Sequence, residues 1–198
     1  MTPATSSVIF LDFDGVLNNN AHVKAVRDRR GITTWEQYLD TFAPWCPLPP
    51  CGLTARVLDT VYAAELLERP RCALAQRLCQ DTGAAIVVVS SWRRYAYGEE
   101  LQAMLHNAGL TAPVLGAVGG LKMSCELRAR AISEWLSQNP DVTAWAVLDD
   151  DTKHYMHDKK LQSRAVHPVD GVTVEDCEAV RAILRRFDGG HGDARGVP

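Results

Sequence analysis

At 198 residues the chain fits one domain with a sizeable core, and 46% hydrophobic and 23% charged residues are ordinary values for a soluble globular protein. A net charge of −3 excludes a global positive field that would recruit nucleic acid, so any basic binding surface must be local. No apolar stretch is long enough to cross a bilayer, and the opening MTPATSS is not a secretion signal. None of the six cysteines forms a CxxC pair, which favours reduced thiols over a zinc site. These features point to a cytoplasmic protein with no membrane association and no evident obligate protein partner.

Residues 1–7 read as a loose end, and the apolar run 8–11 reads as a buried strand that stops at Asp12. Residues 18–30 are polar, with Lys24, Arg27, Arg29 and Arg30 forming a small basic island, either a solvated face or a local contact to phosphate. Thr33 and Glu36 have capping-box spacing, so a helix is expected over 34–42 with Trp35, Tyr38, Leu39 and Phe42 turned inward. Four prolines within 43–52 rule out regular helix or central strand there. Residues 18–53 are accordingly expected to form an insertion, a small cap leaning over the end of the first strand.

Residues 57–67 are ambiguous between helix and strand. Pro70 and Gly83 bound a helix over 71–82, with Cys72 and Cys79 on its packed face. A second buried strand at 84–89 runs into Ser90, and a helix at 99–107 is closed by Gly109. A short extended piece spans 113–118, and an amphipathic helix opens at Ser124 and ends before Pro140. A third apolar strand at 143–148 runs into Asp149, Asp150 and Asp151. Residues 165–166 read as a short last strand, and Thr173 with Asp176 caps a final helix to about Phe187, before a Gly-rich tail. This alternation predicts one α/β domain over 1–198: a three-layer, Rossmann-like parallel sheet with helices on both faces and a cap inserted after the first strand.

Three apolar strands thus end in paired carboxylates, paired hydroxyls and a carboxylate cluster. In a parallel sheet such ends share one edge, where open α/β sheets bind ligands. Strand alternation puts Asp12 and Asp14 on one side with Phe13 on the other, so the two acids are expected to repel and raise one pKa. Hard oxygen donors from separate places suit Mg²⁺, which commonly accompanies phosphate. Ser90 and the backbone N–H groups after it suit a phosphoryl oxygen, and Lys122 or Arg128 suits the remaining phosphate charge. His154, His157 and His167 lack companions at metal-ligand spacing.

The motifs resemble those of the haloacid dehalogenase (HAD) superfamily, mostly phosphatases that work through an aspartyl-phosphate. LDFDGVL, VVVS, a basic residue before a helix, and VLDD occur in that order. The resemblance implies Asp12 as nucleophile and Mg²⁺ ligand, and Asp14 as acid–base residue that touches the metal through its carbonyl. It further implies Ser90 as phosphoryl holder, Asp150 as metal-binding acid and Asp149 as its partner. Arg128 fits a pattern R-x-x-E-I-x-x-W-L in which Ala131 replaces the Glu, and Lys122 is the alternative cation. Gly15, Ser91, Trp92 and Arg93 flank these groups and are the expected substrate-binding positions. FLDFDGVLN, VVSSWR and LDDD are further similar to the phosphatase-like domain of RNA-repair proteins, which implies a phosphorylated nucleic-acid end, a nucleotide or another small phosphorylated molecule as the binding partner. The alternatives are an idle phosphate-binding module and a phosphotransferase.

Overall fold

A computed structural model describes residues 6–48, 53–96, 98–118 and 125–188. The chain runs β1 (Ser7–Leu11), α1 (Asn20–Arg29), α2 (Trp35–Phe42), β2 (Trp45–Leu48), β3 (Leu53–Arg56), α3 (Thr60–Glu65), α4 (Arg69–Thr82) and β4 (Ala85–Val88). It continues with α5 (Gly98–Asn107), β5 (Val114–Ala117), α6 (Cys125–Gln138), β6 (Ala144–Leu148), α7 (Lys159–Gln162), β7 (Ala165–Val166) and α8 (Val174–Asp188). Five strands form a parallel sheet in the order β5-β4-β1-β6-β7, and β2 pairs antiparallel with β3 as a separate hairpin. This is the expected Rossmann-like α/β architecture. No helix among the described residues is long and apolar enough to cross a membrane.

The sheet is apolar on both faces, which explains why its strands are uninterrupted hydrophobic runs. Ile9, Leu11, Ile86, Val88, Ala146 and Leu148 face the larger core. The residues between them, including Val8, Phe10, Val87, Trp145 and Val147, face a smaller core that Ile132 of α6 and Leu161 of α7 help to close. Each face is therefore sealed by its own helices, which gives three layers.

Residues 18–30 were expected to be polar connection, yet they hold a helix. Asn19 accepts a hydrogen bond from the His22 backbone N–H to cap α1, and Val26 is its one buried side chain, too faint a stripe to register as periodicity. The capping box of α2 lies one residue later than Thr33 and Glu36 predict: Thr34 accepts from the Gln37 N–H, and the Gln37 side chain accepts from the Thr34 N–H. Val26, Ile32, Phe42 and Ala43 all enter the larger core, so α1 and α2 are packed into the body of the domain. The ambiguous 57–67 segment contains a short helix, α3, capped by Asp59. Prolines confine β2 to a two-stranded hairpin, as expected of a segment barred from a central strand.

Candidate active site

Register brings the three motif-bearing strands to a common finish. Leu11 pairs with Val88 on one side and Leu148 on the other, and the next backbone bonds run from Asp12 N–H to Leu148 and from Val89 N–H to Leu11. Asp12, Ser90 and Asp149 therefore emerge together at the carboxyl edge of the sheet.

Asp12 and Asp149 are buried around one cation, Arg128 of α6. The Arg128 guanidinium donates to Asp12 Oδ2 at 2.8 Å and, through the same nitrogen, to Asp149 Oδ2. Burial alone disfavours the guanidinium charge, but the two carboxylates outweigh it and raise its pKa further. Phe13 N–H donates to Asp12 Oδ1 at 2.7 Å. Burial first, then the Asp149 charge, push Asp12 up to about 6 despite these donors. The repulsion expected between Asp12 and Asp14 thus arises between Asp12 and Asp149, because the chain turns at Asp14 and strand alternation stops.

Asp149 is fully buried and held by several donors, with one lone pair of Oδ1 left over. Its Oδ2 accepts from Tyr155 O–H at 2.5 Å, its Oδ1 accepts from Asp151 N–H at 2.9 Å, and its carbonyl meets His167 Nδ1 at 2.7 Å. Burial and the Asp149 charge raise the Tyr155 pKa and keep the phenol protonated as a donor. Asp150 is exposed, and burial of part of its carboxyl, with the Asp149 charge, raises its pKa. A Cβ on Gly15 would lie 2.2 Å from Asp150 Oδ2, so glycine is what lets Asp150 approach the turn after β1. One carboxylate oxygen from each of Asp12, Asp149 and Asp150 lies within 4.8 Å of the other two. Three hard oxygen donors so arranged fit a small divalent cation, and no other such group occurs among the described residues.

Asp14 stands outside this three-acid group, its carboxylate held by two donors. Its Oδ2 accepts from the Trp92 indole N–H at 2.8 Å, and its Oδ1 accepts from Asn18 Nδ2 at 3.1 Å. Ser90 is fully buried and caps the 3-10 turn Ser91–Arg94. Arg93 folds back so that one nitrogen donates to the carbonyls of Val89 and Ser90, and burial with the neighbouring Arg128 charge pushes it down to about 10. Trp92 is buried, Ser91 is half-buried, and Lys122 lies outside the described residues. The basic island is largely spoken for: Lys24 pairs with Asp28, Arg30 pairs with Glu65, and Arg27 lies over the Tyr38 ring.

Tyr155 and Asn18 belong to the site yet were not singled out from the sequence, and His167, weighed there only as a metal ligand, belongs to it through the Asp149 carbonyl. Each acts through a contact that no spacing rule announces, since Tyr155 reaches Asp149 from the turn after β6 and His167 from the end of β7. His154 meets Asp151 at 3.6 Å, and no histidine joins the carboxylate group. No curated protein matches the chain. Residues 8–177, which carry the sheet, both acid-bearing turns, Ser90 and Arg128, match the family described as the HAD domain in Swiss Army Knife RNA repair proteins, and the chain belongs to that family.

Proposed function

We propose that the chain is a Mg²⁺-dependent phosphomonoesterase that acts through an aspartyl-phosphate on Asp12, with a nucleic-acid end phosphate or a nucleotide as substrate. The observation that carries this reading is Asp12 itself: a buried carboxylate at the sheet edge, tied to a buried guanidinium and flanked by two further acids. A carboxylate with no metal or phosphate to serve is costly in such a place. Asp12, Asp149 and Asp150 would hold the ion, which supplies the positive charge that relieves their repulsion and favours negative charge on the phosphoryl oxygens.

A carboxylate oxygen of Asp12 attacks phosphorus, and the bond from phosphorus to the leaving oxygen breaks. Asp14, two residues on and open to solvent, gives that oxygen its proton. In the second half Asp14 takes a proton from water as the water attacks phosphorus and frees Asp12. Arg128 holds Asp12 in place and brings a positive charge to the acid that would carry the phosphoryl group. Ser90 and the backbone of the following turn border the same space. The substrate class rests on the family description and on the exposed cation Arg94 in the turn that follows Ser90.

The test is phosphate release from a panel of nucleotides, oligonucleotide 3′- and 5′-phosphates and sugar phosphates, with Mg²⁺ and with a chelator. Activity is expected only with the metal and highest on nucleic-acid ends. Asp12→Asn, whose amide is no nucleophile, should lower turnover at least about a thousandfold. Turnover retained by that variant refutes the covalent scheme.

A further inference from the structure

We infer that Trp92 and Asn18 are positioning residues that clamp the exposed carboxylate of Asp14 from two sides and aim it at the leaving group. The inference rests on Asp14 being the proton donor of the proposed reaction. Each of the two donors meets a different oxygen, at 2.8 Å from the Trp92 indole and 3.1 Å from the Asn18 amide. A carboxylate oxygen has two lone-pair sites, so each keeps one for the reaction while the plane of the group is fixed.

Both donors are themselves held rigidly. The Trp92 ring is wedged edge-on between Phe13, at 5.5 Å between centroids, and Phe42 of α2, at 4.9 Å. An indole nitrogen can only donate, so its role does not depend on a tautomer or a flip. Asn18 is buried, and its Oδ1 accepts from Gly15 N–H at 3.1 Å, which turns its Nδ2 toward Asp14. Its carbonyl accepts from Arg71 Nη1 of α4 at 3.0 Å. An exposed Asp left to itself samples several rotamers, whereas this one is fixed by groups anchored in the larger core. Because Phe42 braces Trp92, the packing of α2 also reaches the acid.

A clamp of this kind matters most when the leaving oxygen needs a proton. The experiment compares kcat/KM for 4-nitrophenyl phosphate, whose leaving group departs as a stable anion, with 4-nitrobenzyl phosphate, whose alkoxide does not. Trp92→Phe keeps an aromatic ring in the wedge and removes only the donor. The aryl-to-benzyl ratio is expected to rise about tenfold or more in this variant, since general acid catalysis is worth about 10²–10⁴ and misplacement forfeits part of it. Asn18→Ser, which leaves the ring packing untouched, should move the ratio in the same direction and keeps the test alive if Trp92→Phe does not fold. Asp14→Asn marks the full range of the ratio. Equal losses on both esters in both variants, or no change, overturn the clamp and leave a packing role alone. A wild-type chain that releases phosphate from neither ester nor from any member of the nucleotide, oligonucleotide and sugar-phosphate panel overturns the hydrolase reading itself, and the clamp with it.

Discussion

Gly15 has a φ of 72° and faces Asp150, so two demands meet on one residue. A methyl group there would need a backbone conformation that L-residues avoid, and it would push the Asp150 carboxylate out of the cluster. Gly15→Ala is therefore expected to weaken Mg²⁺ binding about tenfold or more in a calorimetric titration, in line with the cost of disturbing groups that orient metal ligands. Unchanged affinity would remove Asp150 from the ion's ligands. Asp12, Asp14 and Asp149 were legible as residues because each follows an apolar strand at a turn. Their surroundings were less so: the resemblance implies Asp150 as the metal-binding acid with Asp149 as its partner, but only the fold shows Asp149 buried against Arg128 and Tyr155 while Asp150 stays exposed. Asn18 looks like one of three consecutive asparagines, and only the fold shows that its amide faces Asp14.

At the scale of elements, the strands and most helices were readable because burial on both sheet faces forces unbroken apolar runs, and α4, α6 and α8 carry clear caps or stripes. Helix α1 was not, as its stability comes from an Asn19 cap and one buried valine rather than from a broad apolar face. The start of α2 was readable only to within a residue, because Thr33 and Thr34 are chemically alike and the choice is made by which hydroxyl reaches the Gln37 N–H. Thr34→Ala should consequently lower stability by about 1 kcal/mol in urea denaturation, the usual worth of an N-cap, and Thr33→Ala clearly less. The reverse order would place the helix start where the sequence first suggested it. Helix α6 matters for a further reason, since it delivers Arg128 across the sheet edge to acids from two different strands.

Across the whole molecule, the three-layer arrangement concentrates negative charge at one buried edge, and the stability of the fold should reflect it. Asp12 is pushed from 3.8 up to about 6 by burial and the Asp149 charge. Between about pH 4 and pH 6 the folded chain thus keeps a proton that the unfolded chain has lost, so the metal-free protein loses stability as pH rises through that window. Mg²⁺ reverses this by binding the ionised acids, and the rise in Tm on adding it should be larger at pH 7 than at pH 5 in thermal melts. A metal-independent melting curve with no slope in that window would mean that the acids do not share a cation. The parallel sheet and the convergence of its strand ends followed from sequence pattern alone, whereas the packing of α1 and α2 into the body did not, because it depends on scattered residues such as Val26 and Phe42. The most direct measurement is an acid quench of the wild-type chain during turnover of a phosphate ester with Mg²⁺, followed by peptide mass spectrometry. A phosphoryl group on the peptide that contains Asp12, absent from Asp12→Asn, is the predicted result; unmodified Asp12 in the wild type together with undiminished turnover by Asp12→Asn would contradict it.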